Sequence, residues 1–176
     1  MYKQLWLMVE GVDDARFCEK VVAPLFSNQY DKIQCWPYAN KTCKETVNFL
    51  KSIKSVPSWD YILFGDINHS PCVTAKKTKL LESFNPHLLE STIMIVIKEI
   101  EGWFLAGLDS ANLKKLGLKP ITDTNDITKE DFNRLIPSKY DRTDFMLDVL
   151  EKFDIKIAEK KNDSFAYFTQ KFELSN

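Results

Sequence analysis

The chain has 176 residues, 44% of them apolar and 28% charged, which is the size and balance of one ordinary globular domain and excludes a disordered, collagenous or low-complexity protein. Lys plus Arg number 24 against 25 Asp plus Glu, a formal charge of -1. No global field therefore draws the chain to nucleic acid or to an anionic membrane, and any such partner must use a local patch.

Leu5 to Val9 is a continuous apolar run that stops at Glu10-Gly11. Asp13 or Asp14 then caps a segment whose Phe17, Cys18, Val21 and Val22 recur at helical spacing, and Pro24 is expected to end that helix. Ile33 to Tyr38 reads as a second strand. Thr42-Cys43-Lys44-Glu45 is a capping-box pattern opening a helix with Val47, Leu50 and Ile53 or Lys54 on one side. Trp59 to Phe64 is a third apolar run ending at Gly65-Asp66. Ser70-Pro71 then places a cap and a first-turn proline before a helix reaching about Phe84, which Asn85-Pro86 breaks. Thr92 to Ile97 is a fourth, β-branched run, followed at once by Lys98 to Leu105 with helical composition.

Strands apolar on every residue and separated by helices predict an α/β fold, a mostly parallel four-stranded sheet with helices on both faces, over residues 1–110. Residues 111–176 change character. Lys119-Pro120 and Pro137 mark loops, and Thr128 to Leu135, Thr143 to Phe153 and Ser164 to Leu174 read as helices of a C-terminal extension expected to pack on the sheet domain. No apolar stretch approaches the roughly 20 residues of a membrane span. The first residues also lack the small-residue cleavage site of a signal peptide. A cytoplasmic protein is therefore expected, and four cysteines (18, 35, 43 and 72) without a C-x-x-C pair then read as buried thiols and not as a disulfide framework. A zinc site from His69, Cys72 and distant cysteines lacks the clustered spacing of structural zinc.

The chain holds only five glycines, under half the usual share of about 7%. Three of them touch an acid at an element junction: Gly11 after Glu10, Gly65 before Asp66, and Gly102 after Glu101. Glycine suits tight turns and close approach to a ligand, and ligands of doubly wound sheets sit at the carboxyl ends of the strands. Glu10, Asp66 and Glu101 are therefore a candidate acidic centre. Carboxylates gathered there repel one another unless a hard cation holds them ionised, which points to Mg²⁺ or Mn²⁺ and phosphodiester chemistry. The alternative is that they are helix N-terminal charges favoured by the macrodipole.

Val9-Glu10-Gly11-Val12-Asp13-Asp14 before a helix, Gly65-Asp66-Ile67-Asn68 after a strand, and Glu99-Ile100-Glu101-Gly102-Trp103-Phe104 together resemble the Toprim fold of topoisomerases, primases and OLD-type nucleases. Small bacterial Toprim-like proteins, with a cysteine and a lysine-bearing helix after the second motif and a closing S-F-x-x-F like Ser164-Phe165-Ala166-Tyr167-Phe168, are the most similar group. The resemblance spans most of residues 3–172. It implies that Glu10 is a metal ligand or general acid/base, that Asp66 is the first acid of a D-x-D motif, and that Asp14 is the aspartate four residues after the glutamate. The second acid of that motif is Asn68 here, a neutral oxygen donor, which removes one charge and weakens the case for two metals. Glu99 or Glu101 could restore it.

Lys98 is three residues from Glu101, able to steady a phosphate or to pair with that carboxylate. His69 is an acid/base candidate, and Trp103 and Phe104 are expected in the core rather than stacked on bases. For phosphate contact the lysines of two helices stand out: Lys41, Lys44, Lys51 and Lys54, then Lys76, Lys77 and Lys79, although solubility charge on exposed helix faces is the favoured account because neither aromatic interleaving nor a pI above about 9 marks a dedicated binder.

The reading is a magnesium-dependent Toprim phosphodiesterase or nuclease, with Glu10, Asp66, Asn68 and Glu101 as metal ligands, Lys98 catalytic, and Asp14, Glu99 and His69 in support. The resemblance implies an ABC-type or AAA ATPase partner in defence against phage or plasmids; the near-neutral charge implies that the chain alone holds nucleic acid weakly, and a homo-dimer is left open. The alternative is a catalytically reduced Toprim-like binding or sensor module. A receiver-like domain, with Asp66 as phosphoacceptor, ranks third because Glu10-Gly11 stands where a paired acidic dipeptide belongs.

Overall fold

A computed structural model describes residues 2–174. Two compact units result, Met1–Ile95 and Val96–Asn176. The division falls within the fourth strand, whereas sequence alone marked residue 110.

The first unit is built on β1 (Gln4–Val9), β2 (Lys32–Pro37), β3 (Trp59–Asp66) and β4 (Ile93–Val96), in the order β2-β1-β3-β4. β1 runs parallel to both neighbours, with Gln4 opposite Lys32 on one side and opposite Trp59 on the other. This is the α/β architecture expected from the four apolar runs. β1 and β4 are buried along nearly their whole length, as a strand covered on both faces must be. β2 lies at the edge and is only partly buried, and an edge strand tolerates Pro37 because no neighbour needs its N–H.

Helical segments cover both faces. On one side α1 (Val12–Phe17) continues through a π-turn (Cys18–Val22) into α2 (Ala23–Leu25), lying along β1 and β2. Pro24 does not stop this helix where the sequence predicted. In the π-turn Ala23 N–H donates to Cys18 O, one residue further back than an α-helix would have it. That shift accommodates a residue without an N–H, and the helix runs on to Leu25.

The other face carries α3 (Cys43–Lys54) and α4 (Val73–Phe84), whose Leu50, Ile53, Leu80 and Phe84 pack with Met8, Leu63, Ile93 and Ile95. Burying each such side chain is worth about 1.5–3 kcal/mol. Trp6 meets Phe49 edge-on and Trp36 stacks on the same ring at 4.2 Å, so the aromatics of this face are packing, not a base-stacking platform. The capping box at α3 forms as read: Thr42 Oγ1 accepts from Glu45 N–H, and Glu45 accepts from Thr42 N–H at 2.7 Å. The cap of α4 is Cys72, not Ser70, and Pro71 precedes the helix instead of opening it. Only Cys18 is a buried thiol as expected; Cys35 is partly buried, and Cys43 and Cys72, at the starts of α3 and α4, are exposed.

The second unit is helical: α5 (Ile100–Ala106), α6 (Ser110–Leu116), α7 (Lys129–Leu135), α8 (Arg142–Glu151), α9 (Ile155–Lys161) and α10 (Asp163–Lys171). α6 and α9 lie where sequence reading left loops. Trp103 and Phe104 are fully buried, as expected. Trp103 Nε1 donates to Ser164 Oγ at 2.6 Å, and Phe165 and Phe168 close on its ring at 5.1 and 5.5 Å. The E-x-x-W and S-F-x-x-F segments are thus two halves of one aromatic core. Among the described residues no helix is long and apolar enough to cross a membrane.

Candidate functional site

The parallel register carries the ends of β1 and β3 to the same edge of the sheet, and with them Glu10 and Asp66. Glu10 Oε1 accepts from the Asp66 backbone N–H at 3.1 Å, so a side chain from one strand end is fastened to the main chain of the next. The same oxygen lies 3.5 Å from the Tyr38 hydroxyl and 3.4 Å from Lys76 Nζ. Oε2 accepts no hydrogen bond from any described residue. Gly65 keeps this corner open: a methyl there would fill space 3.4 Å from the Tyr38 hydroxyl and 3.5 Å from Glu10 Oε1.

Tyr38 is the first residue past β2. It is buried, and its hydroxyl donates to Phe64 O at 2.8 Å. Burial first, then the charges of Glu10, Asp14 and Asp66, push its phenol well above the ordinary range. The phenol is therefore a fixed neutral donor beside three acids. Asp14 is itself buried and accepts from Gly11 N–H at 3.1 Å, tightening the turn between β1 and α1. Its capping partner is the glycine, where the sequence suggested that Asp13 or Asp14 was itself the cap.

Lys76 departs most from its sequence reading. The sequence reading places it on an outward-facing row of lysines, yet Lys76 is only 8% exposed and its ammonium lies 3.4 Å from Glu10. It shares the buried stripe of α4 with Leu80 and Phe84, four and eight residues on. Lys77 lies 3.9 Å from Glu90, and Lys79, like Lys44, is exposed. The lysines of this helix thus do three different things. Asn68 and His69 are exposed in the loop after β3, Asn68 in the left-handed conformation (φ 49°) that asparagine tolerates well.

In the second unit the acids are engaged. Glu101 is 4% exposed and accepts from Arg142 Nη2 at 2.8 Å. Burial raises its carboxyl pKa, and the guanidinium opposes that shift. Glu99 Oε2 accepts from Lys129 N–H at the start of α7. Lys98 is exposed and lies 3.8 Å from Asp126. Gly102 answers a packing demand, not a ligand: a Cβ there would stand 2.7 Å from the Thr124 carbonyl oxygen.

The structure thus brings Glu10 and Asp66 together, adds Tyr38, Asp14 and Lys76, and gives Glu101 an arginine. Neither Tyr38 nor Arg142 was singled out from sequence. Among the described residues no group of three or more His, Cys, Asp or Glu side chains is arranged to hold a metal ion. The donor types at this edge, two carboxylates and in the following loop the Asn68 amide, are oxygens of the chemistry a magnesium shell accepts alongside water and phosphate.

The fold and this edge define a class, a parallel α/β protein with an acidic site at the carboxyl ends of its first and third strands. No family model and no curated protein matches the chain. Among solved structures, the C-terminal region of the Burkholderia pseudomallei OLD protein is similar at a TM-score of 0.37 and 16% identity, over 99% of this chain and 97% of that one.

Proposed function

We propose that the protein is a divalent-metal-dependent phosphodiesterase acting on nucleic acid, with its centre at Glu10 and Asp66. The observation that carries this reading is the asymmetry of Glu10: Oε1 is held by a backbone amide, while Oε2 is open. A carboxylate serving only to join two strands has no need of an unused oxygen at a ligand-binding edge. Asp66 and the Asn68 amide oxygen would complete the protein's share of a magnesium shell. When bound, the ion would supply Lewis-acid stabilisation of a phosphate oxygen and orient the attacking water.

The chain's own contribution is positional. The Asp66 amide fixes the rotamer of Glu10, with the Tyr38 hydroxyl, whose proton goes to Phe64 O, packed 3.5 Å from the same oxygen. Lys76 offsets its charge until phosphate arrives and can then donate to a phosphate oxygen. With a net charge of -1, the chain lacks the field to hold a strand tightly by itself. A partner, of which an ATPase is the kind the sequence resemblance suggests, would supply the grip.

A second reading has its own support: Asn68 replaces an acid, and Lys76 already neutralises Glu10, as in a module that binds without cleaving. Calorimetry with magnesium chloride separates the two. Micromolar to millimolar binding that is abolished in Asp66→Ala, with EDTA-sensitive cleavage of DNA or RNA, supports the enzyme. A folded protein that gives no heat and no cleavage supports the binding module.

A further inference from the structure

Beside the acidic edge a cleft of about 360 Å³ is lined by Asn68, His69, Ser70, Ala75, Lys76 and Lys79, with Pro71 at its rim. Its wall contains two lysines, an imidazole, a hydroxyl and an amide, and no carboxylate. Glu10 reaches the wall through its pair with Lys76.

Lys76 is the key to what this cleft takes. An ammonium has three protons to donate, and among the described residues Nζ finds one acceptor, Glu10 Oε1, at the long distance of 3.4 Å. Burying a charge with two donors unused costs free energy unless something else accepts from them. Lys79, one turn further along α4, makes no ion pair among the described residues and projects from the same wall. The first turn of α4, which supplies Ala75 and Lys76 to the wall, contains no acidic residue. Its positive end is left unneutralised, in contrast to α7, which begins with Glu130 and Asp131.

From these features we infer that the cleft is a phosphate subsite. It takes a tetrahedral oxyanion between Lys76 and Lys79, with Ser70 and His69 at its flank. Lys76 then bridges the subsite to Glu10. The inference deepens the phosphodiesterase reading and rests on it only for the source of the anion, a phosphate of the nucleic-acid strand adjoining the one at Glu10 and Asp66. Phosphate binding itself needs no metal.

The experiment is a titration of the full chain with inorganic phosphate in EDTA at constant ionic strength, followed by amide ¹⁵N–¹H shifts. Saturable shifts are expected at residues 68–70, 75, 76 and 79. Lys79→Gln is expected to weaken binding about tenfold, the loss of one charge-assisted contact. Lys44→Gln, on the exposed face of α3, is expected to leave it unchanged. A short single-stranded oligodeoxynucleotide should shift the same amides and compete with phosphate.

Absence of saturable shifts, or a Lys79→Gln variant that binds as the wild type does, overturns the subsite. Phosphate binding that the oligonucleotide cannot displace overturns its assignment to the strand. A cleavage assay on the wild type keeps the two readings apart. Phosphate binding in a wild-type protein that shows no magnesium-dependent cleavage leaves the subsite standing and removes the enzyme. Cleavage without phosphate binding in the cleft does the reverse.

Discussion

Glu10 and Glu101 both stand beside a glycine just after an apolar strand, yet the two units use them in opposite ways. In the first unit Glu10 is half-exposed, anchored through one oxygen and open at the other. In the second, Glu101 is almost fully buried and bonded to a guanidinium. What separates a carboxylate that can act on a ligand from one that holds a fold is therefore saturation, not residue type or local motif. Glu101, itself almost fully buried, has spent its capacity for a cation on a partly exposed arginine at 2.8 Å. Glu10 meets Lys76 only at 3.4 Å, through the oxygen already held by the Asp66 amide, so its second oxygen keeps its capacity for a ligand.

Substitutions in the saturated unit should be costly to stability and those at the open edge cheap. The largest loss is expected for Trp103→Ala, which removes the ring that Phe165 and Phe168 close upon and leaves Ser164 without its donor. A cost of about 3–5 kcal/mol is typical of such a cavity, read as a lower urea midpoint at unchanged slope. Arg142→Ala should cost about 3 kcal/mol by stranding the Glu101 carboxylate in the interior. In the same urea series Glu10→Gln, which keeps an oxygen for the Asp66 amide, should fall within about 1 kcal/mol of the wild type. Equal losses for Arg142→Ala and Glu10→Gln would erase the contrast.

The buried pair also carries a pH signature. The Glu101 carboxyl is raised from its ordinary value near 4.5, chiefly by burial. In the window between that value and the raised one the folded chain holds more protons than the unfolded chain, so stability from this group falls as pH rises through it. Glu101→Gln should flatten that part of the urea midpoint against pH. A profile unchanged by the substitution would show that the arginine cancels the effect of burial and leaves the carboxyl unshifted.

Most of the fold was legible because buried parallel strands leave unbroken apolar runs, and because the Thr42–Glu45 box is a local interaction written within four residues. α6 was missed although Asp109 caps it and Gly117 ends it in the left-handed conformation (φ 84°); a helix of seven residues has too few turns for periodicity to stand out. The site was legible only in part. Glu10 and Asp66 could be placed at one edge because strand ends in a parallel sheet share an edge, but their partners lie far along the chain. Lys76 is 66 residues from Glu10 and Arg142 is 41 from Glu101. One signal for Lys76 was present: it falls in register with Leu80 and Phe84, so a lysine occupies the apolar stripe of α4. Asp14 carries the same mark three residues before Phe17. A charged residue on the buried face of a helix needs a partner, and these two point to the same corner.

The smallest effect on stability, and the finest test of the open edge, is Asn68→Asp. The residue is exposed in a left-handed turn that aspartate also adopts, so the urea midpoint should move by no more than about 0.5 kcal/mol. Its consequence for ligand is larger. If Glu10 and Asp66 share a cation with the Asn68 oxygen, a third charge should tighten magnesium binding several-fold in calorimetry, because affinity for a hard cation rises with the charge of its ligands. The same charge beside Lys76 and Lys79 should weaken phosphate binding in EDTA. Opposite shifts in the two affinities from one exposed atom exchange follow only if cation and phosphate sites adjoin at residue 68, and an Asn68→Asp variant that leaves both unchanged would detach the loop from the acidic edge altogether.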